Sequence, residues 1–310
     1  MTEPAAVQPE VIADAHGTVF DIGYQRYDGP REGRGRARLA VFKDGVRTAL
    51  GLGRGGWAKV LPWSFIGLMV GIGFILALVA GAVLLLGGPE AAARVPSHSD
   101  FYGIASIFFL VFAAIVAPEL LCPDRRDGVI NLYLVRPLTG SDYIAARWLA
   151  FLVVSLFAAW LPQFVLMLGL VMGNPDPVGY LQENWLDAPR ILAAGAAIAA
   201  YTTTLAMLVA AFSSRRAYAA VFLVGLFAIT TPFTAGLSTE IDGAAGQWIS
   251  MFNLSNIPVH VNDLIFGEVS EITGEAPASE LPARILVGWY FLWVLVPGGV
   301  LWARYRRLTP

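Results

Sequence analysis

The sequence predicts an all-α integral membrane protein with six transmembrane helices. Of its 310 residues, 56% are hydrophobic and 14% are charged, whereas a soluble domain carries about 25% charged residues. The mean hydropathy is +0.62. Six apolar runs each reach the roughly 20 residues that an α-helix needs to cross a bilayer. The formal net charge of −2 gives no strong positive field, so nucleic acid is not expected as a partner.

Residues 1–60 precede the first apolar run and are expected to form a cytoplasmic arm and an interface helix. Gly33–Arg38 reads as a flexible basic patch. From Leu39 to about Leu52, apolar residues recur at helical spacing, which is typical of an amphipathic helix lying in a membrane interface. Gly51–Gly56 matches G-x-G-x-x-G but lacks the preceding strand that a dinucleotide site requires. It is interpreted as an elbow before the first span.

The six predicted spans form a transmembrane domain over residues 61–304, followed by a tail of residues 305–310. The spans are Leu61–Leu86, Phe101–Leu121, Ile144–Met172, Ile191–Phe212, Ala217–Leu237 and Ile285–Arg304. None of them carries a charged residue near its centre. Proton-coupled carriers and intramembrane proteases rely on such residues, so both classes are disfavoured.

Basic residues predict the orientation of the chain in the cell membrane. They precede the first span, and they recur in the second loop, the fourth loop and the tail: Arg125, Arg126, Arg136, Arg215, Arg216, Arg304, Arg306 and Arg307. The other three loops hold only Arg94, Arg190 and Arg284. Because basic loops stay on the cytoplasmic side, we expect a multi-pass protein with both termini in the cytoplasm.

The second loop, residues 122–143, is a polar island between two long apolar runs. It contains a short amphipathic helix over Val129–Val135, ended by Arg136 and Pro137, because the residue before a proline is pushed out of the α region. Thr139 or Ser141 is expected to cap the next helix, with Asp142 in its first turn. Such a helix suits a membrane surface or a groove in a partner protein.

At these residues the chain resembles the permease subunits of type-2 ABC exporters. That family has an E-R-x-x-G-T segment, a leucine-rich helix, a proline turn and a basic residue at the start of the next span. Asp124 and Val129 replace the usual glutamate and threonine. The matching residues are Asp124-Arg125-Arg126-Asp127-Gly128-Val129-Ile130, Leu132, Leu134, Arg136-Pro137-Leu138-Thr139, Tyr143 and Arg147.

The resemblance implies that this loop is a coupling helix that docks into a separate ABC ATPase subunit. The implied coupling residues are Asp124, Arg125, Arg126, Asp127, Gly128, Leu132, Leu134, Arg136 and Pro137. Ion pairs of Arg125, Arg126 and Asp127 with the partner would orient the helix, and Leu132 and Leu134 would fill the partner's groove. A second permease chain, identical or paralogous, would complete the transporter. The sequence has no G-x-x-x-x-G-K-[ST] motif, so ATP hydrolysis is assigned to the partner.

The loop over residues 238–284 is long and acidic, and it is expected on the outer side, where it could meet an extracytoplasmic partner. Gln247–Ile257 is too apolar for a plain solvated loop and too short to span the membrane. A re-entrant segment is expected here. Members of the resembled family also place re-entrant half-helices before the last span.

Polar residues inside the spans leave two interpretations open. Gln163, Thr203, Thr230 and Thr231 could line a path for an amphiphilic substrate. Alternatively they make helix–helix hydrogen bonds, each contributing about 1 kcal/mol or less. The three histidines are far apart in sequence, and no H-E-x-x-H or C-x-x-C motif is present. No metal, cofactor or catalytic residue is therefore expected.

The sequence thus predicts a non-catalytic permease subunit of an ATP-driven exporter, in contact with membrane lipid. The alternatives are a membrane scaffold or anchor subunit without transport, and a channel. A channel is disfavoured because no rings of charged residues are evident. The spans offer only apolar and threonine surface, so the identity of the substrate stays open.

Overall fold

The computed structural model describes residues 29, 33–53, 55–86, 97–134, 138–241, 243–267 and 277–307. These residues are almost entirely helical, and they contain no strand. Six of their helices are long and apolar enough to cross a membrane. The all-α fold with six candidate spans is therefore confirmed.

The helices follow the predicted order, with short helices in three of the connections. The candidate spans are α2, α3, α5, α7, α8 and α11. The helices are α1 Arg34–Ala49, α2 Gly56–Leu86, α3 His98–Arg126, α4 Val129–Leu134, α5 Gly140–Gly173, α6 Pro177–Glu183, α7 Asp187–Phe212, α8 Arg216–Glu240, α9 Ala244–Ser250, α10 Ile257–Phe266 and α11 Ala283–Arg306.

The bundle has a central and a peripheral set of spans. In an apolar stretch of 18 residues within α7, 72% is buried inside the bundle. The corresponding share is 56% for α3 and 44% for α5. The corresponding values are 28% for α2, 22% for α11 and 17% for α8. Alanines and threonines dominate α7, and small residues let helix backbones approach closely in a membrane. The composition of α7 therefore suits its central position.

Two capping boxes fix where central helices begin. Thr139 caps α5: its hydroxyl accepts from the backbone N–H of Asp142, whose carboxylate accepts from the backbone N–H of Thr139. Ser97 and Asp100 form the same arrangement at the start of α3. Each box satisfies N–H groups that a helix terminus leaves without partners. The prediction of a cap at Thr139 is confirmed.

Helix α1 begins earlier than predicted, and the prediction of a flexible basic patch over Gly33–Arg38 is wrong. Glycine disfavours a helix, but a distant carboxylate stabilises this turn. Arg34 and Arg38 both lie 2.6 Å from the carboxylate oxygens of Asp142, at the base of α5. The connection to α2 turns at Gly51, whose φ of 67° suits glycine.

Helix α3 is longer at its carboxyl end than the predicted span. It passes through Pro123 and ends at Arg126, so Asp124, Arg125 and Arg126 belong to its last turn rather than to the loop. Basic side chains in a last turn interact favourably with the helix dipole. The connection between the two spans is therefore shorter than residues 122–143.

The predicted outer loop over residues 238–284 contains two short helices, α9 and α10. Gln247–Ile257 covers the end of α9, the turn after it and the first residue of α10. Side chains of α11 and α7 hold the turn through its backbone. Trp289 Nε1 donates to the carbonyl of Met251 at 2.8 Å, and Tyr201 Oη donates to that of Leu254 at 2.8 Å. The turn is thus packed into the bundle.

Candidate functional site

The candidate site lies at the end of the bundle that carries the carboxyl ends of α3, α7 and α11 and the amino ends of α5 and α8. We call it the basic end. Its centre is Arg147, which is 2% exposed. Arg147 Nη2 donates to Asp124 Oδ2 at 2.7 Å, and Nη1 lies 2.8 Å from Asp44 Oδ2. Because a buried guanidinium is costly without partners, these two carboxylates explain how it is accommodated. One ionic group thus joins α1, α3 and α5.

Tyr143, one turn before Arg147, extends this cluster to two further helices. Its hydroxyl donates to Asp124 Oδ2 at 2.7 Å. Its ring lies 5.8 Å from that of Tyr305 in α11 and 5.6 Å from that of Tyr133 in α4. Aromatic pairs at such separations add to the stability gained by burial. The short helix α4 is therefore packed onto the base of α5.

Helix α4 has one face against the bundle and one face open. Ile130 and Tyr133 pack against the core, and burial raises the pKa of the Tyr133 hydroxyl. Leu132 is 67% exposed, and Leu134 is half-buried. Gly128 starts the helix with a φ of 68°, which glycine adopts without strain. An exposed leucine beside two anchored residues is available to a partner.

The charged residues before α4 fall into two groups. Arg125 Nη1 donates to the carbonyls of Ala211 and Ser213 at the end of α7, so this arginine makes contacts inside the chain. Arg126 and Asp127 lie on the surface, where Arg126 Nε is 2.9 Å from Asp127 Oδ1. The hydrogen bond from Arg126 lowers the pKa of the Asp127 carboxyl.

The implied coupling residues thus divide into inward-facing Asp124 and Arg125 and outward-facing Arg126, Asp127 and Leu132. The implied members Arg136 and Pro137 lie outside the described residues.

The four residues of the possible substrate path are hydrogen-bonded within the chain. Gln163 and Thr203 are fully buried, and they bond to His98 and Ser155, respectively. Thr231 Oγ1 lies 2.7 Å from the Oγ of Ser255, and Thr230 bonds to the carbonyl of Leu226 in its own helix. Gln163 and Thr203 therefore make the helix–helix contacts that the alternative interpretation describes, and Thr231 joins α8 to the turn before α10.

Sequence reasoning missed the cluster around Arg147. The sequence does contain a signal: Tyr143 and Arg147 are four residues apart, which puts them on one face of a helix. An arginine in an apolar helix also calls for a buried partner. The identity of that partner could not be read, because Asp44 lies in a different helix. Among the described residues, no three His, Cys, Asp or Glu side chains are grouped to hold a metal.

Comparisons with known proteins add no family to these observations. No protein-family model matches the chain, and no curated protein matches it. The resemblance of residues 124–147 to exporter permeases therefore stays an expectation from the sequence.

Proposed function

We propose that this chain is the membrane-spanning permease subunit of an ATP-driven exporter of the type-2 ABC class. The observation that carries the proposal is α4, a six-residue helix with an exposed leucine, which lies in the connection between two central spans and packs on α5 through Tyr133. The proposal is supported by the six candidate spans and by the motif around α4. The chain lacks a P-loop, so the energy for transport comes from a separate ATPase subunit.

The contacts of α4 suit it to transmit force from a partner. Tyr133 packs on Tyr143, and Tyr143 bonds to Asp124. A displacement of α4 therefore acts on α3 and α5 together. Leu132 supplies an apolar contact for the ATPase groove, with Arg126 and Asp127 beside it for polar contacts. ATP-driven closure of the ATPase dimer would tilt these spans and alternate access between the two sides.

The basic end faces the cytoplasm in this proposal, with both termini on that side of the cell membrane. Arg126, Arg215, Arg216 and Arg306 all lie at this end, and basic residues favour the cytoplasmic side. Helix α1 then lies in the inner membrane interface. Its Val41, Gly45 and Ala49 are buried, whereas the side chains of Arg34 and Arg38 are about half exposed, at 48% and 50%.

The finer architecture follows the same orientation. Helices α9 and α10 form a re-entrant hairpin on the outer side, since 7 and 10 residues are too few to span a bilayer. The acidic outer loop offers a surface to an extracytoplasmic partner. A second permease chain covers α8, the least buried span, where Val221, Ile229 and Phe233 are 67–71% exposed. Membrane lipid covers the remaining apolar surface.

The test is co-purification of an ATPase with the tagged full chain after gentle extraction from its native host. We expect P-loop ATPase activity in the eluate of the wild-type chain. Leu132→Asp should retain at least tenfold less of it, because losing the burial of one leucine costs about 1.5–3 kcal/mol. The chain itself should still be inserted, since Leu132 is exposed.

Leu181→Asp is the matched control. Leu181 is also an exposed leucine in a short helix, at 41%, but it lies in α6 at the opposite end of the bundle. This variant should keep the wild-type ATPase activity. A chain that purifies without any ATPase would support the scaffold alternative. Ion conduction by the reconstituted chain without ATP would support the channel.

A further inference from the structure

The connection between α5 and α7 carries apolar side chains that the bundle leaves exposed. In α6, Val178 is 64% exposed and Leu181 is 41% exposed. Trp185, which follows shortly after the helix ends, is 64% exposed. Residues three and four positions apart lie on the same side of a helix, so Val178 and Leu181 share a side and Trp185 continues it. Exposed apolar patches mark contacts with a membrane, a ligand or another protein.

Helix α6 is stabilised by caps at both of its ends. Asp176 Oδ1 accepts from the backbone N–H of Gly179 at 3.0 Å, and Pro177 opens the first turn, where a missing N–H removes no hydrogen bond. At the other end, Asn184 Nδ2 donates to the carbonyl of Tyr180 at 3.0 Å. These bonds satisfy groups that a helix terminus leaves without partners. An ordered helix therefore presents the apolar surface.

The side chains of α6 point in three directions. Tyr180 is half-buried and packs against the hydrophobic core. Val178 and Leu181 form an exposed apolar side, whereas Gln182 and Glu183 form an exposed polar side. At about 100° per residue, the three sides are roughly 120° apart. A helix in a membrane interface needs such an arrangement, with protein on one side, lipid on the second and water on the third.

The exposed apolar side chains of the neighbouring spans mark where the hydrocarbon layer ends. On α5 they run from Leu149 to Met172, and on α7 they run from Leu192 to Phe212. At 1.5 Å per residue these bands are about 35 Å and about 30 Å long, which is close to the roughly 30 Å thickness of the hydrocarbon core. Helix α6 follows Met172 and precedes Leu192, so it lies at the edge of that layer. Tryptophan is enriched at this level of a membrane protein.

The charge of the connection shows which kind of lipid contact it suits. Residues 174–189 include Asp176, Glu183 and Asp187 and no lysine or arginine. Segments that bind anionic lipids are rich in basic residues, so this acidic segment does not attract anionic head groups. Arg190, the next basic residue, lies 3.3 Å from Asp187. Contact with lipid must therefore come from the burial of alkyl and indole surface.

We propose that α6 lies in the lipid head-group region at the end of the bundle opposite the basic end, with Val178, Leu181 and Trp185 in contact with lipid. The bilayer that covers Met172 and Leu192, on either side of this connection, ends at the level of α6, so lipid is the occupant that this position favours. Because α6 joins α5 to α7, the contact holds the ends of both spans at one depth. The inference goes beyond the exporter proposal. It concerns the end of the bundle away from the ATPase contact, so it does not depend on that partner.

The test is site-directed spin labelling of the full chain in phosphatidylcholine nanodiscs. Cys122→Ser first removes the single cysteine. Single cysteines are then introduced and labelled, and each label's collision rates with oxygen, which dissolves in lipid, and with a water-soluble nickel complex are measured. Leu168→Cys is the lipid reference, because Leu168 is 62% exposed within α5. The test variants are Val178→Cys, Leu181→Cys and Trp185→Cys at the apolar positions, and Gln182→Cys and Glu183→Cys at the polar positions.

The ratio of oxygen to nickel collisions should be several times higher at the three apolar positions than at the two polar positions. At the apolar positions it should approach the ratio at Leu168. Adding phosphatidylglycerol to the nanodiscs should leave all the ratios unchanged, since no basic residue is involved. In the wild-type chain, hydroxyl-radical footprinting in the same nanodiscs should leave Trp185 unoxidised, because the radicals form in water.

Four results would overturn the proposal. Nickel collisions at Val178 and Leu181 as frequent as those at Glu183 would place this side of α6 in water. Oxidation of Trp185 in the wild-type chain would do the same, and this result does not depend on any variant folding. Dipolar broadening between the labels of two copies of Leu181→Cys would show that a second chain covers the surface. Lipid contact that appears only with phosphatidylglycerol would mean that charge, rather than apolar burial, holds α6 at the membrane.

Discussion

The two ends of the helix bundle hold the same pair of central spans in different ways. At the basic end, α3 and α5 are joined by ionised groups, through Arg147 and Asp124. At the opposite end they are joined by an amide and an imidazole. Gln163 Oε1 lies 2.6 Å from His98 Nδ1, and Gln163 Nε2 donates to the carbonyl of His98 at 2.8 Å. One contact depends on charge, and the other does not.

The contrast extends to the groups around each contact. At the basic end, Asp44 reaches Arg147 with a side chain that is 55% exposed. At the opposite end, Asn262 is fully buried and donates to Ser99. Burial there also lowers the pKa of His260 to about 4, so its imidazole is neutral at pH 7. The Arg147 cluster is thus open to competing charges from a partner through Asp44. The Gln163–His98 contact is buried and joins an amide to an imidazole, and the Asp263 carboxylate at that end accepts from Ser99 and Asn262 instead.

Arg147→Ala should have the largest effect on stability at the basic end. It leaves Asp124, whose side chain is 16% exposed, without its cationic partner. Removing one member of a buried ion pair costs about 3–5 kcal/mol, so we expect a loss of that size in the free energy of unfolding. Titration with SDS in detergent micelles measures it. The double variant Asp124→Asn/Arg147→Ala should lose less than the sum of the single variants. Additive losses would mean that the two residues are not coupled.

At the opposite end, Gln163→Leu should cost less. The substitution leaves His98 Nδ1 buried without a partner, which costs about 1–3 kcal/mol. In His98→Phe/Gln163→Leu both polar partners are replaced by apolar groups, and the aromatic contact with Phe266 can be kept. The double variant should therefore be more stable than Gln163→Leu alone. A double variant less stable than the single one would contradict the neutral contact.

The spans could be predicted because their cause is local, whereas the helix ends could not. A run of about 20 apolar residues such as Leu61–Leu86 is sufficient to indicate a transmembrane helix. The start of α1 depends on Asp142, which lies 108 residues from Arg34 in the chain. No local pattern carries that information, so a flexible patch was predicted where a helix forms.

The candidate site was predictable in its position but not in its inner contacts. The glycine and the amphipathic run indicated a short helix after Gly128, and α4 forms there. Asp124 and Arg125 were both expected to face a partner. Both contact the chain itself, because α3 continues through Pro123 and turns these side chains toward α5 and α7. The direction in which such a side chain points depends on how far its helix extends, and tertiary contacts decide that extent.

Asp44→Asn should have the smallest effect on stability. Its dependence on salt should nevertheless distinguish the two ends of the bundle most clearly. Asp44→Asn removes an ion pair that is half exposed on its acidic side, while Arg147 keeps Asp124. Exposed pairs contribute about 0–1 kcal/mol, so the loss in unfolding free energy should be below about 1 kcal/mol in 0.1 M salt. It should vanish near 1 M salt, where the Debye length falls to about 3 Å. The cost of Gln163→Leu should be the same at both salt concentrations, since no net charge is involved. A cost of Asp44→Asn that persists in 1 M salt would show that Asp44 belongs to the buried cluster, and the basic end would then be as closed as the opposite one.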